Sequence, residues 1–128
     1  MRKVYLERKT FLKYDDEHYI VYLNEETVPG YVPETMGGEQ PEPAIGYAYT
    51  GDMPDGGRLI EAKDSDRDSL INGIIRSCYS QSQEDAIKTH QIQLLRNPDI
   101  EKAEEYNEEW ASFDLFREFA KSTVDGWL

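Results

Sequence analysis

Even positions from Val4 to Tyr14 read Val4, Leu6, Arg8, Thr10, Leu12, Tyr14, while the odd ones are mostly polar apart from Tyr5 and Phe11. This imperfect period of two predicts a strand with one buried face. After the acidic break Asp15-Asp16-Glu17, the run His18 to Leu23 is apolar on both faces and rich in β-branched and aromatic residues. It predicts a more central strand, paired with the first in a hairpin. Residues 24–43 carry Pro29, Pro33, Pro41 and Pro43 with Gly30, Gly37 and Gly38, so neither a helix nor a central strand is expected there. A long, loosely packed or disordered loop is the expectation, with Tyr31 and Met36 as contacts if it serves a partner. Ala44 to Tyr49 and Arg58 to Ala62 read as two further strands, and the turn formers from Gly51 to Gly57 read as the hairpin loop between them.

Beyond Lys63 the period changes from two to 3.6. Asp64-Ser65-Asp66 offers helix-capping oxygens, and Leu70, Ile71, Ile74, Ile75 and Cys78 form one apolar stripe that ends near Ser80. Ser82 with Asp85 repeats the capping pattern, and Ala86, Ile87, His90, Leu94 and Leu95 make a second stripe to about Arg96. Asn97-Pro98 is suited to start a third and longest helix, because proline at the first helical position sacrifices no hydrogen bond. Its stripe is Ala103, Tyr106, Trp110, Phe113, Phe116 and Ala120, with Glu104, Glu105, Glu108 and Glu109 on the other side and Gly126 as the stop. Strands first and helices second predict one α+β domain over residues 1–128, strand-rich over 1–63 and helical over 64–128. Its expected form is an antiparallel sheet of three to four strands with three C-terminal helices covering one face or forming a small bundle.

Composition adds limits. A length of 128 residues suits one domain. The longest purely apolar run, Tyr19 to Leu23, is too short for a membrane span or a secretory core. A lone Cys78 permits no internal disulfide and fits a reducing compartment, so a cytoplasmic protein is expected. The net charge is −12, yet residues 1–13 hold five cations against Glu7 alone, a basic edge on an acidic body. An acidic body disfavours nucleic-acid binding, which gains affinity by releasing counterions from phosphates. The basic edge reads as a solvated strand face or a complement to acidic groups of the same chain, and less readily as a surface for an acidic partner.

Candidate chemistries fall short one by one. Asp64, Asp66 and Asp68 match the first three ligand positions of a calcium loop, but Ser69 stands where the turn demands glycine and Ile75 where a bidentate Glu is needed. His18, His90 and Cys78 sit in three separate elements without metal-ligand spacing, so neither metal nor cofactor is expected. A Cys78–His90 pair is disfavoured because Cys78 falls on the apolar stripe, where a buried thiol is inert. The 51–57 loop lacks the Lys-Ser/Thr ending of a phosphate cradle. Tyr19, Tyr22, Tyr31, Tyr47 and Tyr49 could pave a stacking face, but without a basic groove core packing is the expectation.

Around the first helix junction, Ile75-Arg76-x-x-Tyr79-Ser80-x-Ser82-x-Glu84-x-Ala86-Ile87 resembles small proteins of prophages and Bacteroidetes mobile elements that have no assigned role. Glu105-Tyr106-Asn107-x-x-Trp110 with Arg117 is similar to the acidic, Tyr- and Trp-bearing helices of phage tail-assembly accessory proteins. The resemblance covers about a third of the chain and implies a phage or mobile-element setting and a role through contacts.

The expectation is therefore a non-enzymatic interaction or assembly protein, with a protein partner or self-association through the acidic helical region and with Tyr106, Trp110 and Phe113 as contact candidates. Two alternatives stand beside it. An acidic decoy of a nucleic-acid-binding protein requires carboxylates arrayed on one face. A small enzyme requires a deep pocket holding His18 or His90 beside a buried carboxylate.

Overall fold

The computed structural model describes residues 1–33 and 42–128. Six strands precede three helices among these residues, the α+β order expected. The chain divides into two units, 1–60 and 61–128, close to the change of period at Lys63.

In the first unit the strands form two three-stranded sheets rather than one. β1 (Arg2–Tyr5), β4 (Glu26–Tyr31) and β5 (Ala44–Thr50) make one sheet, with β5 central and antiparallel to both neighbours. β2 (Phe11–Lys13), β3 (His18–Val21) and β6 (Arg58–Glu61) make the other, with β3 central and β2 antiparallel to it. The expected hairpin of the first two runs survives as β2–β3. The expected continuous strand Val4 to Tyr14 is instead cut at residues 6–10, where the chain leaves one sheet and enters the other. That break explains the imperfect alternation: Tyr5 and Phe11, on the supposedly polar phase, are partly buried, whereas Leu6 and Leu12 are exposed.

Two further expectations are corrected. β4 occupies part of the proline and glycine stretch expected to be loop. It is tolerated because it is an edge strand, where Pro29 forfeits no essential ladder bond, and because Gly30 takes φ +70° at the register shift between Val28 and Tyr31. The 44–62 segment is no hairpin either, since β5 and β6 belong to different sheets. The Gly51–Gly57 segment crosses between them as a tight loop. Its Met53 N–H donates to the Gly57 carbonyl, and Gly56 sits at φ +84°, where a Cβ would lie 2.5 Å from the Tyr49 carbonyl oxygen.

One core cluster of this unit is Ile20, Tyr22 and Tyr49, flanked by Tyr5, Tyr47, Met53 and Leu59, and Val21, Leu23, Ala48 and Ile60 are buried as well. The Tyr22 and Tyr49 rings meet edge-on at 5.6 Å. Each hydroxyl has a partner, as burial demands: Tyr22 donates to Asp55 Oδ2 at 2.7 Å, Tyr5 to the Asp55 carbonyl at 2.6 Å, and Tyr49 to Glu25 Oε1 at 2.7 Å. Of the five tyrosines expected in the core, Tyr19, Tyr22 and Tyr49 are buried, Tyr47 packs partly buried against them, and Tyr31 is half-buried on edge strand β4. The N-terminal cations are matched inside the same unit, by Arg2–Glu26, Arg8–Glu25 and Lys13–Asp16 contacts, and Lys3 and Lys9 lie over the Tyr5 ring.

In the second unit α1 (Arg67–Cys78) starts at Asp66, whose carboxylate accepts from the Ser69 N–H. α2 (Gln81–Arg96) starts at Ser80 rather than Ser82, through a capping box in which Ser80 and Gln83 satisfy each other's backbone N–H groups. α3 (Ala103–Trp127) starts later than Asn97-Pro98 suggested, because Asn97 is used as the C-cap of α2 and its side chain accepts from the Asp99 N–H. Gly126 does not stop it. Twenty-five residues make α3 about 37 Å long. It runs as a splint along both shorter helices, each of which packs on it. Three contacts mark its antiparallel course: Arg67 to Asp125 at 2.5 Å, Tyr79 edge-on to Phe113 at 5.1 Å, and His90 to Glu109 at 2.9 Å. Leu70, Ile74, Ile87, Phe113, Ala120 and Val124 are buried.

Candidate interaction surface

The α1–α2 junction is where the motif of the sequence analysis resides, and its residues have local roles. Tyr79 is extended and ends α1, and Ser80 opens α2. Arg76 donates to the Tyr79 carbonyl at 3.3 Å and to Glu84 Oε1 at 3.1 Å, while Lys88 donates to Glu84 Oε2 at 2.9 Å. Burial pushes the Glu84 carboxyl up, but the bonds from Lys88 and Arg76 outweigh it and hold the group below the usual carboxylate range. A buried carboxylate between two cations fixes the angle at which α2 leaves α1.

Farther along α2, His90 stacks flat on Tyr106, with ring centroids 4.0 Å apart and planes within 5°. Its Nδ1 faces Glu109, and Gln91 Nε2 donates to the Tyr106 carbonyl at 3.0 Å. These contacts fasten α2 to the first half of α3. Tyr106 and Trp110 are accordingly half-buried at the seam, and Phe113 is enclosed, at 1% exposure, against Tyr79 and Trp110. Tyr31 is half-buried in edge strand β4, in the other unit. Met36 lies outside the described residues.

The side chains that reach solvent are different ones. Leu95 is 83% exposed, the most of any large apolar residue described, and Ile92 is 58% exposed one turn before it. On α3, Leu115 is 74% exposed. The sequence pattern puts Leu95 on the buried stripe with Leu94, but only Ile87 and Leu94 of the apolar residues on α2 are buried. Packed along α3, α2 buries a narrow seam, and Ile92 and Leu95 fall outside it. A 3,4 spacing through Lys88, Ile92 and Leu95, read as a second stripe, would have exposed this in the sequence.

Cys78, expected in the apolar stripe, is exposed at the end of α1. His18 contacts Asp15 at 2.8 Å in an exposed turn, where the Glu17 backbone N–H and then the His18 side chain hold the Asp15 carboxyl below its ordinary value. A cleft of about 470 Å³ lies beside Lys63, Asn72 and Arg76 and includes neither histidine. Among the described residues no group of three or more His, Cys, Asp or Glu side chains is arranged to hold a metal ion. No helix among them is long and apolar enough to cross a membrane. No family model, curated protein or solved structure matches the chain.

Proposed function

We propose that this chain is a non-enzymatic interaction or assembly protein that works through its helical unit. The observation that carries this reading is the pair Ile92 and Leu95, two large aliphatic side chains held in water on adjacent turns, flanking the face on which Glu84, Ile87 and Leu94 are buried. Apolar groups placed together outside a seam gain by being covered, at about 25 cal/mol per Å² removed from water. The phage or mobile-element setting implied by the junction motif accords with such a role, and assembly proteins of that kind act through contacts. The decoy alternative gains less support. Glu25, Glu26, Asp16, Glu84 and Asp125 are engaged by cations of the same chain rather than arrayed for a partner.

The test is a photo-crosslinking side chain at position 95 in cells that produce the protein, with the same probe at Tyr14, exposed in the strand unit. A protein adduct formed from position 95 and not from position 14 is expected. Adducts from position 14 alone, or from neither, overturn the reading.

A further inference from the structure

We propose that the cleft beside Lys63 and Arg76 is a binding site for a small organic dicarboxylate. The site goes beyond the interaction reading above and does not depend on the exposed residues of α2. The cleft lies within the helical unit and holds about 470 Å³, inside the range of roughly 300–1,000 Å³ typical of small-molecule sites and far more than a single ion fills. Its walls are the chain at the end of β6, with Glu61 and Lys63, one face of α1, and Gln81 at the start of α2. Ser69, Asn72 and Arg76 reach it together because they are spaced by three and four along α1, the interval that sets side chains on one helical face.

The lining carries two cations against one carboxylate, in a chain whose net charge is −12. Both cations have capacity left for a ligand. Lys63 is exposed and forms no ion pair among the described residues. Arg76 commits two of its five N–H donors, to the Tyr79 carbonyl and to Glu84, and 24% of its side chain stays in solvent. A guanidinium already fixed by two bonds loses little side-chain entropy when a carboxylate meets its remaining N–H groups. Asn72, exposed on the same face, adds an amide that can donate to the same anion. Ala62 is the only apolar side chain in the lining, and no aromatic ring is there for a base to stack on, so the occupant is small and polar rather than apolar or nucleotide-like. Two carboxylates answer two cations, and an uncharged ligand answers neither.

Amide NMR spectra of the full chain, titrated with malonate, succinate or glutarate at a constant ionic strength of about 0.15 M, test the site. At least one diacid is expected to give saturable shifts confined to the residues that line the cleft, with a Kd on the order of 1 mM. Lys63→Gln should raise that Kd at least about fivefold with unchanged helical circular dichroism, since Lys63 holds nothing else in place. Glu61→Gln should lower it by removing a like charge from the wall. Arg76→Lys keeps a cation for Glu84 and should still weaken binding, because a point charge replaces the fork. Succinamide, of the same size without the charges, should leave the spectrum unchanged. Three diacids that all fail to saturate, shifts scattered over the surface, a Kd indifferent to Lys63→Gln, or equal binding of succinamide or inorganic phosphate overturns the proposal.

Discussion

The two units solve the problem of a small core with different chemistry. In the strand unit tyrosines share the interior with Ile20, Val21, Leu23 and Ile60, so the buried Tyr22 and Tyr49 rings bring hydroxyls that need partners, and Asp55, Glu25 and the Lys9 N–H supply them. In the helical unit the interior is Leu, Ile, Phe, Val and Ala, and the polar contacts lie at intervals along the seam of α3. The first unit therefore adds to its apolar packing directional bonds whose loss leaves polar groups stranded. The second is held by volume, and what it does not cover stays apolar. On α2 the apolar residues outside its seam with α3, Ile92 and Leu95, are exposed.

Three measurements separate the two modes. The largest effect is expected from Phe113→Ala, which empties the enclosed position on α3 at a cost of about 3–5 kcal/mol. Both tryptophans, Trp110 and Trp127, lie in the helical unit, so their fluorescence reads that unit's unfolding directly in a urea titration. A loss below about 1 kcal/mol would mean that volume is not what holds the helices.

Next in size is an alkaline transition confined to the strand unit. Burial first, and then the bond to Glu25, pushes the Tyr49 hydroxyl up to about 12 from an ordinary value of 10. The unfolded chain releases this proton near pH 10 while the folded one retains it, so the folded state binds more protons and stability falls as pH rises. The contribution is intact below pH 10 and roughly 2–3 kcal/mol of it is gone by about pH 12. Tyr22, pushed up by burial and by Asp55, acts in the same direction. Amide exchange in β3 and β5 across this range should accelerate in the wild type, and Tyr49→Phe should remove part of the pH dependence. Equal slopes for the two proteins would exclude Tyr49 as a source.

The smallest effect is expected at the helix junction. Ser80→Ala removes the side-chain oxygen bonded to the Gln83 N–H and should cost about 1 kcal/mol in the same fluorescence assay. Ser82→Ala should cost almost nothing, which distinguishes the cap observed from the one the sequence suggested.

What could be read along the chain was what local chemistry decides. The order of strands and helices, the end of α2 at Arg96, the Asp66 cap and the β2–β3 hairpin follow from residues within a few positions of each other. What escaped was pairing at a distance. Nothing near Leu6 says that Tyr5 will face Tyr47 across one sheet while Phe11 faces Val21 across another. The Pro29-Gly30 pair excludes a central strand and is silent about an edge. The candidate surface was half legible. The aromatic residues drew attention to the helical region, but Phe113 is enclosed and Tyr106 and Trp110 are half-buried at the seam because an α3 of this length has two helices to serve, while the exposed large apolar residues are Ile92 and Leu95 on α2 and Leu115 on α3.

The splint arrangement also bears on how the chain matures. α1 and α2 are synthesised before the helix that shelters their apolar sides, so Leu70, Ile74 and Ile87 stay wet on the ribosome until Phe113, Ala120 and Val124 have emerged. The strand unit, by contrast, has all its strands once residue 61 is made. One half can therefore close during translation, while the other must wait for its last helix before it has an interior at all.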